Sequence, residues 1–552
     1  MQYKTMSKYL FWILIVFSLV GCKHNGSKEK HPESALPSLY VTMQPEQLDS
    51  ILINRDYLAS AEALLLSDER DTIYCGELTH IKTRGNYSFK MKKKSFTIKF
   101  PYKMRLLGLN KDKSFVLLAN ACDESHIRDA IGLDLAKAMG IPASRYAYLK
   151  LYINNRYQGL YQITNKVKVG KQTLNITDLD ELNEQVNPRP LHEYATFAHG
   201  MKDQYILRKG VLLERSPDDI TGGYLLDNSS TNNIYNNDVS GFVSHAGDLV
   251  RIRSPKYASV EEVEYISDWY DQMEKAVHSS DGYNSQTGKH YSDYLDVESF
   301  AHYYLLNEVL MNLDGGWSSF MMYKDSDSLN PRIYAGPAWD FDRSLFNPFF
   351  ERNLIVLPNE LFVCCEKGLI TEPLSGGLLY HLMKHEDFKE IVKSCYYKEI
   401  SPICHDYLER GYWDSIVDYL HVDAESDSQV EMFSKDYDAA VSRAMDFFSS
   451  RLDFLDWYFS AEEKDMIKMT IPRPNSNNKK VYAYYPLGTE ISTPQLEFPY
   501  NKAPFFTLYY EGTDDVVKEG TVFQTSQNLE LRERNPKWRE VQIRRIRKKL
   551  KK

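Results

Sequence analysis

The segment Tyr334-Ala-Gly-Pro-Ala-Trp-Asp-Phe-Asp-Arg343 says more about the fold than any other part of the sequence. Its carboxylates Asp340 and Asp342 flank Phe341, so in an extended segment they project from the same side of the chain. Paired carboxylates on a rigid turn offer the oxygen ligands that Mg²⁺ or Mn²⁺ prefers and commonly shares with substrate phosphates. The segment therefore predicts a cation site, with pairing to arginine or backbone amides as the alternative.

A second acidic turn precedes this segment, in Glu308-Val-Leu-Met-Asn-Leu-Asp-Gly-Gly-Trp-Ser-Ser319. The apolar period predicts a helix over 297–312 that ends at Asp314-Gly-Gly, which leaves the carboxylate on a turn. A carboxylate in that position can orient a hydroxyl or a water molecule. The alternative is that Asp314 only caps the turn.

The basic counterpart lies earlier, in Arg84-Gly-Asn86, ahead of a strand predicted over 94–100 from its alternating apolar residues. Glycine permits close backbone approach, and arginine and lysine complement phosphate oxygens. Lys94 enters the strand, although the sequence does not show whether Lys93, Lys94 or Lys99 points inward. The alternative is a β-turn followed by a solvated basic edge.

Strands and helices follow one another in an order that predicts an α+β protein. After strands over 36–100, a helix is predicted over 125–139 and a hairpin over 147–163 with its turn at Asn154-Asn155. Residues 170–255 are polar and show no clear period. Beyond residue 259 the pattern becomes mainly helical, with long segments at 260–278 and 297–312. A linker is predicted at 466–479, followed by a small β module with a basic tail at 480–552.

The chain has ordinary globular composition and an acidic bulk. Of its 552 residues, 43% are hydrophobic and 26% charged, and the net charge is −9. Residues 537–552 hold nine basic residues and one acidic residue, so the preceding part carries −17. This balance argues against nucleic acid as a partner. The tail can contact anionic lipid or polysaccharide, or simply be solvated.

The N-terminus predicts an exported lipoprotein. Lys4 and Lys8 precede the apolar run 9–20, which is too short for a membrane-spanning helix, and Leu19-Val-Gly-Cys22 follows at once. This sequence is similar to a lipobox, so we expect residues 1–21 to be a signal peptide, Cys22 to carry lipid and 22–37 to be a tether. Lys23 favours the outer membrane. The alternative is an ordinary signal peptide.

The chain has seven cysteines. The six other than Cys22 are expected to be mostly thiols, with at most one disulfide.

Several motifs occur together in the order typical of the spore-coat protein H (CotH) kinase family, which the chain resembles. The resemblance implies an atypical protein-kinase-like fold with an N-lobe at about 38–170 and a helical C-lobe at about 220–465. It also implies phosphorylation of Ser or Thr with ATP and Mg²⁺ or Mn²⁺. The motifs are Thr83-Arg-Gly-Asn-Tyr-Ser88, Lys93-Lys-Ser-Phe96, Leu118-Ala-Asn120 with Asp123 and Ile127-Arg128, the Gly-Leu-Tyr that ends 154–161, and Gly336-Pro-Ala-Trp-Asp-Phe-Asp342.

The same resemblance implies a role for each motif residue. Asp314 would accept the proton of the acceptor hydroxyl, and Lys94 would act with Arg84 and Asn86 on the nucleotide phosphates. Asp340 would bind the metal with support from Asp342. Ser319 holds the position at which protein kinases place a metal-binding Asn.

Two departures from the family pattern bear on activity. Serine at position 319 is a weaker metal ligand than asparagine. After the hairpin, where relatives often show Thr-Glu ahead of Lys or Gln, this chain has Thr164-Asn165-Lys166. Three hypotheses follow: an extracytoplasmic kinase, a non-catalytic kinase-fold surface protein that binds protein or glycan, and a metal-dependent phosphohydrolase.

Overall fold

The computed structural model describes residues 36–202, 205–228, 232–316, 318–351, 356–363, 377–427, 436–472, 480–491, 496–498, 501–503, 506–518, 521–522 and 527–533. Residues from Leu36 onward form one compact unit. Strands and helices alternate through it, which confirms the predicted α+β class. Leu36 is already buried, so the predicted tether is too long at its C-terminal end.

The first part of the unit is a closed seven-stranded barrel with strand order β1-β2-β3-β4-β5-β7-β6. The parallel pairing of β1 with β6 closes it. The elements in chain order are β1 (Ser38–Thr42), α1 (Pro45–Ile53), β2 (Ala59–Leu66), β3 (Thr72–Arg84), β4 (Ser95–Met104), β5 (Asp112–Leu118), α2 (Arg128–Ala138), β6 (Tyr146–Ile153) and β7 (Arg156–Asn165).

The alternation of apolar and polar residues along a strand explains which side chains are buried in the barrel. In β4 the side chains of Phe96, Ile98 and Phe100 are buried, as the period of two predicts. The β6–β7 hairpin is confirmed as well. Its two turn residues, Asn154 and Asn155, have φ values of 48° and 61°, which is the backbone that a two-residue hairpin requires and that Asn tolerates.

The second part contains a seven-stranded sheet that the sequence did not predict, with strand order β14-β13-β10-β12-β11-β9-β8. The expectation of a helical region over about 220–465 is therefore wrong for its first part, because short strands between polar turns leave no long period to detect. The elements are α3 (Leu179–Val186), β8 (Thr196–Lys202), β9 (Tyr205–Val211), β10 (Tyr224–Asn228), α4 (Asn232–Asn237), β11 (Gly241–Val243), β12 (Leu249–Ser254), α5 (Val260–His278), α6 (Val297–Val309), β13 (Met321–Lys324) and β14 (Ile333–Ala335).

Between residues 348 and 460 the described residues are mainly helical. The elements of this part are α7 (Pro348–Glu351), β15 (Glu360–Leu361), α8 (Leu378–Leu382), α9 (Glu386–Cys395), α10 (Ser401–Glu409), α11 (Asp414–Ser426) and α12 (Tyr437–Ser460). A π-helical turn, Tyr396–Ile400, joins α9 to α10. The predicted helix over 260–278 is confirmed in full, and the one predicted over 297–312 ends slightly earlier.

A fully buried ion pair fixes the C-terminal end of α6. The Arg451 guanidinium of α12 lies 3.0 Å from the Glu308 carboxylate and also donates to the Pro358 carbonyl at 2.6 Å. The same carboxylate accepts the backbone N–H groups of Phe362 and Val363 at 2.7 and 2.8 Å. Because every member is hydrogen-bonded, the buried charges are compensated. This network sets where the turn after α6 begins.

The C-terminal strands pair with a strand of the preceding helical region. β15 pairs with β17 in a sheet ordered β15-β17-β16-β23-β21. The predicted linker at 466–479 is wrong for 466–472, where buried Ile467, Met469 and Ile471 alternate along a strand. The strands are β16 (Met466–Pro472), β17 (Lys480–Pro486), β18 (Glu490–Ile491), β19 (Leu496–Phe498), β20 (Asn501–Ala503), β21 (Phe506–Tyr510), β22 (Thr521–Val522) and β23 (Leu529–Glu533).

Several predictions fall on residues that the structure does not describe. The signal peptide, Cys22 and most of the tether lie within 1–35, and the basic tail lies within 534–552. Among the described residues, no helix has the length and apolar character needed to span a bilayer. Cys75, Cys395 and Cys404 are free thiols.

Candidate active site

The N-terminal turn of α2 supports the loop that follows Asp342. Arg128 is 1% exposed and forms an ion pair with Asp123. Its guanidinium also donates to the Ser344 carbonyl at 3.0 Å and to the Phe346 carbonyl at 3.3 Å. A buried guanidinium that satisfies carbonyls on a distant loop fixes the backbone path of that loop. Through Arg128, the start of α2 thus fixes the position of the loop that follows Asp342.

Two further contacts seat Phe341 on the same helix. The backbone N–H of Phe341 donates to the Asp129 carboxylate at 2.7 Å. The Phe341 ring lies directly on Gly132, where a Cβ atom would come within 2.2 Å of ring atom Cγ. Only glycine leaves room for the ring at this point of α2. Phe341 therefore locks the two flanking carboxylates onto the helix.

Four carboxylates gather around this anchor: Asp129, Asp314, Asp340 and Asp342. Burial and then Asp340 raise the pKa of Asp129 to about 7. Burial, Asp340 and Asp129 raise the pKa of Asp342 well above its usual range. Like charges held together in this way disfavour ionisation unless a cation compensates them. We refer to these residues as the acidic cluster.

Asp340 occupies an unusual backbone conformation that the sequence pattern did not reveal. Its φ is 69°, in the left-handed region, so the predicted extended segment bends at this residue. The Ser319 hydroxyl donates to the Asp340 carboxylate at 2.7 Å. Ser319 itself has a φ of 56°. Strained backbone of this kind is common at functional sites.

Asp314 reaches the cluster from the turn after α6. The Arg343 guanidinium donates to its Oδ1 at 2.7 Å, and the backbone N–H of Leu313 donates to the Arg343 carbonyl at 3.1 Å. Burial raises the pKa of Asp314, and Arg343 acts in the opposite direction. The two acidic turns found in the sequence are therefore joined through one arginine.

Arg84 lies beside the acidic cluster, and two further cations, Arg253 and Lys166, lie near Arg84. Burial lowers the pKa of the Arg84 guanidinium, while Asp340 and Asp129 act in the opposite direction. The surrounding protein lowers the pKa of Lys166 to about 8, and Arg253 and Arg84 act in the same direction. The Lys166 side chain is exposed, so it lies at the rim of the site. Positive groups beside hard oxygen ligands form a suitable environment for phosphate.

Two of the predicted site residues contact other parts of the chain instead. The Lys94 ammonium donates to the Phe89 carbonyl and lies 4.9 Å from the centre of the Phe89 ring. The Asn86 side chain is exposed and accepts from Arg55 at 2.7 Å. Both residues stabilise the loop between β3 and β4.

The neighbouring lysine is not a substitute for Lys94. Lys93 is 3% exposed, and its ammonium lies 2.5 Å from the Asp427 carboxylate and 2.6 Å from the Leu160 carbonyl. Its role is to tie the barrel to the residues after α11. The tandem lysines therefore both have partners outside the acidic cluster.

The structure assembles Arg84, Asp314, Ser319, Asp340 and Asp342, all of which the sequence had suggested. It adds residues that sequence reasoning missed: Asp129, Lys166, Arg253 and Arg343. Asp129 follows Arg128 of a recognised motif, Lys166 follows the divergent Asn165, and Arg343 ends the Asp340 segment, so position offered a signal for these three. Arg253 lies in the unpredicted sheet and offered none.

The departure at Asn165 has a structural explanation. Its side chain is 2% exposed, accepts the backbone N–H of Asn110 at 2.9 Å and donates to the Asn110 carbonyl at 3.0 Å. This reciprocal pair joins the end of β7 to the connection before β5. The asparagine amide therefore serves as both donor and acceptor in a buried position, which a carboxylate cannot do.

The fold and the site define an α+β protein in which a helix after the barrel supports a carboxylate cluster with Arg84 beside it. The family model described as CotH kinase protein matches residues 81–455, and the chain belongs to that family. The matched range includes Arg84, the whole acidic cluster and α12 as far as residue 455. No curated protein matches the chain.

The contact between Gly132 and Phe341 predicts an unusual response to alanine. Gly132→Ala improves helix propensity by about 1 kcal/mol, yet we expect a net loss of about 1–3 kcal/mol because the added methyl group displaces the ring. Denaturant unfolding of Gly132→Ala, Phe341→Ala and the double variant measures the coupling. In the Phe341→Ala background the same Gly132→Ala change should no longer destabilise. Strict additivity of the two changes would contradict the proposed contact.

The raised pKa of Asp129 predicts how stability depends on pH. A carboxyl group whose pKa is raised in the folded state contributes stability that is lost as the pH rises through that pKa, here about 7. Asp129→Asn keeps an acceptor for the Phe341 N–H and removes the titration. We expect the variant to be the more stable at pH 8 in a metal-free buffer, by about 1.4 kcal/mol per unit of pKa difference, and similar to the wild type at pH 4. Thermal unfolding from pH 4 to 8 measures this; parallel curves would disprove the assignment.

Proposed function

We propose that this member of the CotH kinase family transfers the terminal phosphoryl group of ATP to a serine or threonine hydroxyl of a protein, with a divalent metal. The observation that supports this most strongly is the position of Arg84 beside the acidic cluster, with Arg253 and Lys166 close to that arginine. Kinase-type catalysis consists almost entirely of positioning and charge compensation, and both signs of charge are present. The arrangement of barrel and helices around them suits a two-lobe kinase-like fold.

The residues fit the groups that this reaction needs. Asp129, Asp340 and Asp342 supply hard oxygen donors of the kind that Mg²⁺ and Mn²⁺ prefer. Crowding raises the pKa of both Asp129 and Asp342, so a divalent ion there would relieve repulsion that the apoprotein carries. When bound, such an ion would bridge phosphate oxygens and neutralise charge. Ser319, bonded to Asp340, positions that carboxylate.

Each side chain then has a defined task. Arg84 and Arg253, with Lys166 at the rim, bind and orient the phosphates of the nucleotide. Arg343 holds Asp314 through Oδ1, which aims the other carboxylate oxygen at the acceptor hydroxyl. Asp314 accepts the hydroxyl proton while the hydroxyl oxygen bonds to the terminal phosphorus and the bond to the bridging oxygen of ADP breaks. Phe341 keeps Asp340 and Asp342 on α2 during the reaction.

A non-catalytic role has one specific observation in its favour. The lysine that the family resemblance assigns to the phosphates, Lys94, binds the Phe89 carbonyl within its own loop. In the catalytic proposal, Arg84 and Lys166 replace it. In the alternative, the fold serves as a scaffold that binds protein or glycan. A phosphohydrolase is a third outcome to be distinguished.

Phosphoryl transfer is tested with residues 23–552, which contain the whole compact unit. With γ-labelled ATP, Mg²⁺ or Mn²⁺ and a degenerate Ser/Thr peptide library, we expect label transfer from the wild type. Asp314→Asn and Asp340→Asn should each lower it by about 100-fold or more, as expected for loss of a general base or of the chief oxygen ligand. Arg84→Ala should raise KM for ATP, whereas Lys94→Ala should leave it near the wild-type value.

Asp406→Asn is the matched control, because this exposed aspartate only pairs with Arg410 at the surface. Its activity should equal that of the wild type. A folded wild type that neither binds an ATP analogue nor transfers label would rule out the kinase proposal and favour the scaffold. Release of free phosphate without transfer would favour the hydrolase. Transfer that survives Asp340→Asn would refute the site assignment.

We also propose that the chain is exported and held at the cell envelope by lipid on Cys22, with the outer membrane as its destination. The support is the lipobox-like sequence before Cys22, the adjoining Lys23 and the compact unit that begins at Leu36. At this location the acceptors would be envelope or surface proteins. Supply of ATP would then limit the reaction.

The anchor predicts that the full chain incorporates labelled fatty acid and sediments with bacterial membranes. Cys22→Ala should abolish the label and release the protein from the membrane fraction, because one thiol carries the lipid. Cys75→Ala is the control, since this exposed thiol lies within β3 and should have no effect. Labelling that persists in Cys22→Ala would show that the lipid is attached at another residue.

A further inference from the structure

A second group of metal-ligating side chains lies on the helices away from the acidic cluster. Glu298 and His302 are one turn apart on α6, Cys395 ends α9, and Glu399 follows in the π-helical turn. One ligand atom from each of the four lies within 4.8 Å of all the others. Two residues from each of two packed helices therefore converge on a single point.

One ring nitrogen of His302, Nε2, belongs to this group and has no hydrogen-bond partner among the described residues. This atom is buried, and the Glu399 carboxylate lies 3.5 Å away from it. A buried ring nitrogen normally finds a hydrogen-bond partner or a metal ion. A cation between the imidazole and the carboxylate would satisfy both.

The surroundings of Cys395 fit the same interpretation. Its Sγ atom lies within 4.8 Å of the ligand atoms of the other three residues, and the residue is 5% exposed. A thiol binds zinc as the thiolate, so metal binding here would release a proton to solvent. The π-helical turn directly after Cys395 is a local feature that often marks functional sites.

We propose that Glu298, His302, Cys395 and Glu399 form a structural zinc site that fastens α6 to the α9 end. Sulfur and imidazole ligands select Zn²⁺ over Mg²⁺ or Ca²⁺, and four protein ligands suit a closed tetrahedral site. Zinc bonds of about 2.0–2.3 Å require only small side-chain rotations from the observed spacing. Exposed Glu298 can rotate freely.

This site shares no ligand with the acidic cluster proposed for phosphoryl transfer, and its chemistry is different. The acidic cluster offers only oxygen atoms, whereas this group adds a thiol and an imidazole. Two of its ligands lie on α6, the helix that precedes the turn with Asp314. Zinc would therefore stabilise the helix that supports this turn.

Zinc binding is tested on residues 23–552, freed of any affinity tag and of metal by a chelator. Titration with Zn²⁺ and elemental analysis after dialysis should give one tightly bound ion per chain. Co²⁺ in its place should show thiolate-to-cobalt charge-transfer absorption. His302→Ala and Cys395→Ala should each weaken Zn²⁺ binding by more than about 100-fold, since loss even of an outer-shell partner costs 10–100-fold. Cys395→Ala should also abolish the charge-transfer band.

Controls separate this proposal from the others. Cys404→Ala and His405→Ala change the same residue types on neighbouring α10 and should retain zinc, as should Asp340→Asn. Should a buried substitution disturb folding, Glu298→Gln at the exposed ligand should still weaken binding by about 10-fold. No zinc bound by the folded wild type, or equal affinity in His302→Ala, Cys395→Ala and Glu298→Gln, would overturn the site.

Discussion

The seating of Phe341 on α2 is the constraint on which the rest of the site depends. Gly132 leaves room for the ring, Asp129 accepts its backbone N–H, and Arg128 binds the carbonyls that follow. These contacts link the helix that follows β5 of the barrel in sequence to a loop more than two hundred residues later. Because the loop is held at three places, Asp340 can keep a left-handed backbone that would otherwise relax.

The electrostatics of the site follow from this rigid seating. Carboxylates that could separate in a mobile loop are kept together, so the cost of their repulsion is met by the packing around Phe341 and Arg128. The result is a preorganised group of oxygen atoms beside Arg84, which has Arg253 and Lys166 near it. Preorganised charge does not need to rearrange when substrate arrives, which is the main source of catalytic power in polar sites. The ion pair between Arg451 and Glu308 does the same for the turn that carries Asp314.

The sequence revealed most of the elements and about half of the site. Strong periods predicted β4, the β6–β7 hairpin and α5 correctly, because one buried face forces regular spacing. Asp314, Asp340 and Arg84 stood on recognisable turns. Lys94 was different, since the coil before β4 has no period. Lys93 points to Asp427, far along the chain, whereas Lys94 points to the Phe89 carbonyl in its own loop. Arg253 and the strand at 466–472 were missed for related reasons: short strands carry little pattern, and Pro472 obscured the alternation before it.

The closure of the barrel has a consequence for how the chain folds. β1 is the first described strand, yet one of its edges pairs in parallel with β6, so that Ser38 meets Lys150. A growing chain exposes β1 long before that partner exists, and the entropy of closing so long a loop must be met before the pairing gains anything. Until β6 has been made, β1 has an unpaired edge to which a strand of another chain could pair. Although β1 is the first of the barrel strands to be made, it gains its second partner strand late. The unfinished barrel is therefore most vulnerable to aggregation at β1.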